Sequence, residues 1–350
     1  MPGIKTLSRS VSHAGLKAKK AYNIEKLMVI VDEEHLDMLD EMMLTKKWGI
    51  QVVYILTDSP AVRSIFPDHS RIYPIKANIR SLLRIDIIDE IVCCTTSLPD
   101  DFLHGLKEIC SQYGVSLLVQ QNLASSNLAI SGYRYIADFY FHVLETNPRK
   151  RFSFILKTLA EITFAFFVLF LTSPILLMIA LIIKLTSAGP VIFKQQRVGL
   201  RGRKFYIYKF RTMVVDAEKQ QAALSVYNEC DGPAFKIARD PRITRFGRFL
   251  RKTGLDEVPQ LHNVMKGEMS LIGPRPMLPK EVTAQKEWHL KRMCIKPGIT
   301  CTWQIQPDRN NVPFERWMEL DREYVENWSL GADLRIFLHS VRSVFAARGL

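Results

Sequence analysis

Twenty consecutive residues, Phe164–Ile183 (FAFFVLFLTSPILLMIALII), carry no charge. A run of that length crosses a hydrocarbon core of ~30 Å as a straight helix, so a bilayer constrains this chain more than any other feature. Ser173-Pro174 sits in mid-run, where proline deletes a helical hydrogen bond and crowds the preceding turn. Membrane helices tolerate such a residue, so the flanks bear more on topology. Arg149, Lys150, Arg151 and Lys157 precede the run; Lys184, Lys194, Arg197, Arg201, Arg203 and Lys204 follow it. Basic residues beside membrane segments stay cytoplasmic. With both flanks basic, a helix–break–helix that enters and leaves on one face is cheaper than a straight span.

The net charge of +13 is unevenly spread. Residues 1–148 hold 15 Lys and Arg against 17 Asp and Glu, whereas residues 149–350 hold 33 against 18. A basic half calls for anionic partners: nucleic acid, anionic lipid or phosphorylated substrates. No nucleic-acid recognition motif accompanies the charge, so a nucleic-acid partner is not expected. The six cysteines (Cys93, Cys94, Cys110, Cys230, Cys294, Cys301) make no Cys-x-x-Cys pair and no zinc-ligand spacing. Cys93 and Cys94 lie in an apolar run and read as small buried residues.

Residues 1–24 are Ser/Lys-rich, read as a flexible tail, and lack the apolar core of a secretory signal. Over 25–148 short apolar runs alternate with amphipathic stretches. Strands are predicted at Leu27–Val31, Gln51–Leu56, Arg71–Ile75, Glu90–Cys94 and Val115–Val119. Helices are predicted at Glu33–Lys46, Asn78–Ile85 and Asp100–Tyr113. Such alternation implies a parallel-sheet α/β module. A dinucleotide fold places a Gly-rich turn after its first strand. Here the first strand runs into Asp32-Glu33-Glu34-His35, an acidic face that repels phosphate. A phosphoacceptor receiver domain would want a basic residue after the last strand, where this chain has Gln120-Gln121. The module is expected to scaffold or to oligomerise, a homodimer being possible, without chemistry of its own.

Beyond the membrane run, Val191–Val198 and Lys204–Lys209 read as strands leading into Lys209-Phe210-Arg211-Thr212-Met213. Arg242, Arg245, Arg248 and Arg251 recur every third residue, which lines one face of a helix over Pro241–Lys252 with guanidinium groups. A solvated face explains that pattern, and so does a bilayer surface or a pyrophosphate gripped bidentately. Gly254-Leu255-Asp256-Glu257-Val258-Pro259-Gln260 follows, with Gly254 as N-cap of a helix running to about Met265. By itself an Asp-Glu pair in a first turn is ordinary capping. Neighbouring carboxylates on a helix point about 100° apart, so one can attack phosphorus while the other holds Mg²⁺ or a proton. Gly273-Pro274-Arg275-Pro276 holds an arginine on a proline-locked turn. Lys296-Pro297-Gly298-Ile299-Thr300 is a second stiff turn, and Arg309-Asn310 offers another guanidinium.

These motifs, in this order from Ser173-Pro174 through Gly189-Pro190, Gln196-Arg197, Gly199, Lys209–Met213, Leu255–Gln260, Gly273–Pro276 and Pro297–Thr300 to Arg309-Asn310, resemble the bacterial sugar transferase family. These are the monotopic phosphoglycosyl transferases that begin glycan assembly on undecaprenyl phosphate. The resemblance covers roughly residues 152–350. It implies a re-entrant membrane helix over 149–186 broken at Ser173-Pro174, and an α+β catalytic domain over 187–350. It implies a cytoplasm-facing site on the bacterial inner membrane. It also implies a Mg²⁺-dependent two-step transfer from a UDP-sugar. Asp256 would attack the β-phosphorus, UMP would leave, and undecaprenyl phosphate would accept the phosphosugar. Glu257 would bind the metal with Asp256 or assist a proton. Lys209, Arg211, Arg251, Arg275 and Arg309 would hold phosphate.

The 25–148 module is similar, more loosely, to the Rossmann-like module of the larger members. Those usually carry four transmembrane helices ahead of it; none precedes it in this sequence, so a shortened large form is expected. Glu161 stands where the family usually has Asp, Gly254 where Ser is more usual, and Cys301 where Gly is common. A catalytically silent adaptor of the same fold is the competing expectation. Trp303, Trp317 and Trp328 suit an interfacial belt or a buried core equally.

Overall fold

The computed structural model describes residues 24–44, 49–96, 98–120, 130, 132–136, 138–144, 151–229, 231, 235, 237, 239–283, 287–306 and 312–345. The flexible tail expected over 1–24 falls, but for Ile24, outside the described residues, and so does Arg309. The chain divides into two compact units between Pro148 and Arg149.

In the first unit, strands β1 (Glu25–Val31), β2 (Ile50–Leu56), β3 (Ile72–Tyr73), β4 (Glu90–Cys94) and β5 (Ser116–Val119) lie parallel in the order β3-β2-β1-β4-β5. That is the order a Rossmann-like reading requires. Helices α1 (Leu36–Leu44), α2 (Pro60–Ile65), α3 (Ile79–Ile85) and α4 (Asp100–Tyr113) connect them. Leu27, Val29, Ile55, Val92 and Leu118 are fully buried, which is why these strands read as near-continuous apolar runs. Cys93 and Cys94 are fully buried too, and burial pushes the Cys93 thiol up to about 12. Two elements escaped sequence reading: α2, and an antiparallel pair β6 (Gly132–Ile136) and β7 (Phe139–Leu144) that extends the sheet beyond β5.

Ligands of such sheets settle outside the carboxyl ends of the strands where the order reverses, here between β1 and β4. Asp32 occupies that place. Its carboxylate accepts the Thr96 backbone N–H at 2.7 Å and the Thr96 hydroxyl at 3.0 Å.

The second unit begins with α5, a 36-residue helix (Arg151–Thr186) long and apolar enough to cross a membrane. The expected interruption at Ser173-Pro174 lies inside this one helical element. Pro174 has no N–H for the carbonyl of Phe170, and the Ser173 hydroxyl donates to that carbonyl at 2.8 Å. Serine thereby re-satisfies the group that proline orphans. Along α5 the less exposed positions recur as Phe154, Lys157, Glu161, Ala165, Val168, Thr172, Leu176, Ile179 and Ile183, a stripe of helical period that keeps its phase past Pro174. Phe166, Phe170, Leu171, Leu177, Leu181 and Leu185 face outward, each at least half exposed.

The stripe packs on the remainder of the unit throughout. Phe154 stacks on Trp328 at 3.8 Å. Ala165, Val168 and Leu169 meet Phe205, Ile207 and Leu261. Leu176, Ile179 and Ile183 meet Phe210 and Leu250. Lys157 donates to Asp333 at 2.6 Å and to the Ile272 carbonyl at 3.1 Å, and pairs with Glu161 at 2.8 Å. Glu161 in turn accepts the Ser270 hydroxyl at 2.7 Å.

After α5 come an antiparallel pair, β8 (Ile192–Val198) and β9 (Lys204–Phe210), then α6 (Arg245–Thr253), a 3₁₀ turn (Leu255–Gln260) and α7 (Leu261–Met265). Strand β10 (Ser270–Ile272) pairs in parallel with β11 (Gly298–Thr300), with α8 (Pro279–Thr283) between them. Helices α9 (Phe314–Glu326) and α10 (Leu330–Phe345) complete the unit. Trp303 and Trp328 are buried, and Trp303 stacks on Trp317 at 4.3 Å, so these rings build the core rather than an interfacial belt.

Candidate active site

Each candidate residue is set by a short local device. Lys209 stands one residue from the end of β9, opposite Phe193 across the strand pair. Helix α6 is capped by Thr244, whose hydroxyl accepts the Gly247 N–H at 2.9 Å. Gly247 packs against the backbone of Thr212 so tightly that a Cβ would lie 2.1 Å from the Thr212 carbonyl. This contact brings α6 against the chain that leaves β9. Gly254 is the N-cap expected, here of the 3₁₀ turn Leu255–Gln260, and it also closes α6 in the left-handed conformation (φ 70°), donating back to Arg251 and Leu250. The helix expected from Gly254 to about Met265 is a 3₁₀ turn followed by α7, since Pro259 supplies no N–H within it.

That turn carries Asp256 and Glu257. Asn263, fully buried, donates to the Tyr206 carbonyl at 2.7 Å and so ties α7 to β9. Lys209 consequently reaches Glu257, 48 residues later, and forms a short charge-assisted hydrogen bond with it.

The two neighbouring carboxyls are driven apart electrostatically. Burial, with the Glu257 charge added, raises Asp256 to about 6, and Asp256 is only 7% exposed. Burial also works to raise Glu257, but the Lys209 ammonium, with help from Arg275 and Arg251, holds it below the usual carboxylate range. Such divergence separates the roles of two like groups. Glu257 is the stronger acid of the two, whereas Asp256 is the more basic carboxylate.

The expected arginines meet different fates. Arg251 lies beside the pair and donates its Nε to the Thr212 hydroxyl at 3.0 Å. Arg275 is exposed, its guanidinium 6.0 Å from the ring centre of Trp303 and close enough to Glu257 to depress it. Arg211 is buried and partly engaged elsewhere: its Nη2 donates to the Ser187 carbonyl and hydroxyl at 2.8 and 2.7 Å, bracing the exit of α5. Its Nε and Nη1 are buried and find no acceptor among the described residues.

Arg242 leaves the predicted basic face altogether. The helix starts at Arg245, and Arg242 is buried in a bidentate pair with Asp240 at 2.9 and 2.6 Å. Arg245 and Arg248 remain exposed on α6. Two arginines that the sequence reading did not assign to the site, Arg197 and Arg292, are buried against the Gly273–Pro276 turn. The Gln196-Arg197 motif was the available clue for Arg197; nothing in the pattern marked Arg292.

No group of three or more His, Cys, Asp or Glu that could hold a metal ion occurs among the described residues. The pair nevertheless suits Mg²⁺, which typically takes one or two carboxylates and completes its shell with water and substrate phosphates.

Comparison with known proteins places these features. The profile of the bacterial sugar transferase family matches residues 152–347, which include every site residue above. The galactosyl transferase CpsE of Streptococcus agalactiae serotype III is 33% identical over 290 residues, covering 79% of this chain and 64% of that protein. The uncharacterized sugar transferase EpsL of Bacillus subtilis is 41% identical over 196 residues, covering 56% of this chain and 90% of that protein. The undecaprenyl-phosphate galactose phosphotransferase of Salmonella typhimurium is 40% identical over 212 residues, 59% of this chain and 44% of that protein. The chain thus spans less than two thirds of the length of the first and third of these.

Proposed function

The chain belongs to the bacterial sugar transferase family, and from that premise we propose that it transfers a sugar 1-phosphate from a UDP-sugar to a polyprenyl phosphate through a covalent aspartyl intermediate. The observation that carries this reading is the buried Asp256, raised to about 6, beside a Glu257 that Lys209 keeps ionised. The printed names of relatives support the acceptor: undecaprenyl-phosphate galactose phosphotransferase, and undecaprenyl-phosphate glucose phosphotransferase from Komagataeibacter xylinus, 36% identical over 219 residues.

In the first step an Asp256 carboxylate oxygen forms a bond to the β-phosphorus. The bond from that phosphorus to the oxygen bridging to the α-phosphorus breaks, and its electron pair leaves with UMP. In the second, a phosphate oxygen of the polyprenyl acceptor attacks the same phosphorus and Asp256 departs as carboxylate. Arg251 and Arg275 neutralise charge on the transferring group, and Arg211 braces the exit of α5 beside it. A bound Mg²⁺, held by Asp256 and Glu257, would supply further neutralisation of the diphosphate.

The proposal sets α5 in the membrane as a re-entrant helix with both ends on the cytoplasmic face. Its support is the continuous packed stripe. A perpendicular span would drag the polar unit lying along Phe154–Ile183 into hydrocarbon, where unsatisfied polar groups cost several kcal/mol each. The outward apolar face would meet lipid instead, close beneath the Asp256 turn, because Leu176 and Ile179 share a cluster with Leu255. A lipid-borne acceptor would then reach the site without leaving the bilayer. The first unit, with Asp32 closing its crevice, is read as a scaffold.

The test is to incubate the protein with UDP-sugar and Mg²⁺ without lipid. UMP release and a gain in mass equal to one phosphosugar are expected from wild type, and neither from Asp256→Asn. Wild-type protein that releases no UMP from any donor of a broad panel would instead make the chain a silent membrane adaptor.

A further inference from the structure

Around Arg275 the backbone carbonyls from Pro274 to Met277 each accept a hydrogen bond. The Pro274 carbonyl accepts the Gly298 N–H at 2.9 Å. That of Arg275 accepts Nη2 of Arg292 at 2.8 Å. That of Pro276 accepts Nη1 of Arg197 at 3.0 Å, and that of Met277 accepts the Val198 N–H at 2.8 Å. Pro274 and Pro276 have no N–H to satisfy and hold φ near −65°. The donors come from β8, and from the 3₁₀ segment Glu287–Cys294 and β11, which lie almost a hundred residues further along the chain.

Two of the four donors are guanidinium groups with little access to water. Arg292 is 5% exposed and Arg197 9%. Burying such a charge costs several kcal/mol unless it is paired, so its place needs a reason. Arg292 is paired with Asp321, itself fully buried, at 2.6 Å, and its Nη1 lies against the sulfurs of Met277 and Met318. Arg197 is steadied by the Gln195 amide oxygen at 2.6 Å, with Glu281 at 4.0 Å. The two prolines already restrict the backbone of the turn, and both arginines add bonds to its carbonyls. What both fix is the direction in which the exposed Arg275 side chain leaves it.

We propose that Arg197 and Arg292 are positioning residues for Arg275: they clamp the carbonyls of Pro276 and Arg275 so that the Arg275 guanidinium stands over Trp303 and toward the Asp256–Glu257 pair. Glu257 feels the result, since Arg275 contributes to its depression. The clamp explains why two charges are buried on a turn that lies outside the Asp256 helix. Its effect on rate rests on the function proposed above; its effect on Arg275 does not.

The experiment separates the two. Protein labelled with 5-fluorotryptophan gives a ¹⁹F resonance for Trp303, assigned through Trp303→Phe, that reports whether Arg275 lies over the ring. Arg197→Met, Arg292→Met and Arg275→Ala are compared with wild type, with Arg197→Lys as the conservative change. Both Met variants should move the Trp303 resonance toward its Arg275→Ala position, and Arg197→Lys should restore it in part. In the adduct assay each Met variant should lose on the order of tenfold in kcat with little change in KM. In the Arg275→Ala background the same changes should add almost nothing, as residues acting through one group are non-additive. An unmoved Trp303 resonance in folded Met variants overturns the clamp, and so do fully additive rate losses. Unfolding of both Met variants at the assay temperature overturns it as well, by assigning the pair to stability alone. Wild-type protein without UMP release defeats the functional reading, while the resonance still decides the clamp.

Discussion

Lys209, near the end of β9, and Glu257, in a 3₁₀ turn 48 residues later, are joined by a charge-assisted hydrogen bond beside Asp256, a carboxyl whose burial outweighs the pull of Lys209 and Arg251. This one pair sorts the two acids. Glu257 is depressed and Asp256 is raised, although both lie in the same turn and both are largely withdrawn from water.

A pH profile follows from the sorting. An attacking carboxylate must be ionised, so adduct formation should rise through about pH 6 and level off above it. Below the midpoint the rate should fall about tenfold per pH unit. Rapid-quench measurement of UMP release between mildly acid and neutral pH checks this; a flat profile would remove Asp256 from the chemistry.

The same shift has the opposite sign for stability. Asp256 is raised above its ordinary 3.8, so the native state binds its proton more tightly than the unfolded chain does. That contribution is fully present below the ordinary value and is lost as pH rises through about 6. At neutral pH the ionised, buried group is then a cost on the order of 3 kcal/mol. Asp256→Asn should therefore abolish turnover and yet raise the thermal midpoint at pH 7 by several degrees. A lowered midpoint would show that the carboxylate is compensated in the native state.

Replacing Lys209 with Met takes the counter-ion from Glu257 and a favourable charge from Asp256. Adduct formation should drop about 10²-fold, in the range seen for loss of one preorganised donor. The acid limb of the pH profile should also move up, because Lys209 lowers the Asp256 carboxyl as well. A rate loss with an unmoved midpoint would restrict Lys209 to binding phosphate.

Lys157 anchors the start of the membrane helix to Asp333, Glu161 and the Ile272 carbonyl. Lys157→Met leaves two nearly buried carboxylates uncompensated and should destabilise the catalytic unit by about 3 kcal/mol. Thermal unfolding in detergent measures the loss; Lys157→Met combined with Glu161→Gln should recover part of it.

Topology is open to a direct test. Cysteines introduced at Ser153 and Ala188, one at each end of the long helix, should both be labelled from the cytoplasmic side and shielded from a periplasmic reagent. Labelling of one end alone from the periplasm would restore a perpendicular span.

Much of this chain was legible before folding, and for a physical reason: the features concerned are local. An uncharged stretch, the alternation of apolar strands with amphipathic helices and the turn chemistry of Gly254 or Pro274 all act within a few residues. The parallel strands accordingly fell within a residue or two of their expected places. The β6–β7 pair escaped because its tyrosines alternate with polar residues over only a few positions, and pairing with β5 alone makes it part of the sheet.

The arginines show where local reading stops. A three-residue spacing put Arg242 with Arg251 on one helix face, yet Asp240, two residues away, and the buried Ala217 carbonyl drew Arg242 out of it. Arg292 carried no pattern at all and became a buried clamp through Asp321, 29 positions on. Which charge meets which carboxylate depends on through-space distance and on how far water is excluded, and both are set when β9, α6 and the Asp256 turn pack on the membrane helix. Sequence determined the chemical parts and their order along the chain. Packing alone decided that Lys209 belongs to Glu257, and thereby which of two adjacent carboxyls is depressed and which is raised.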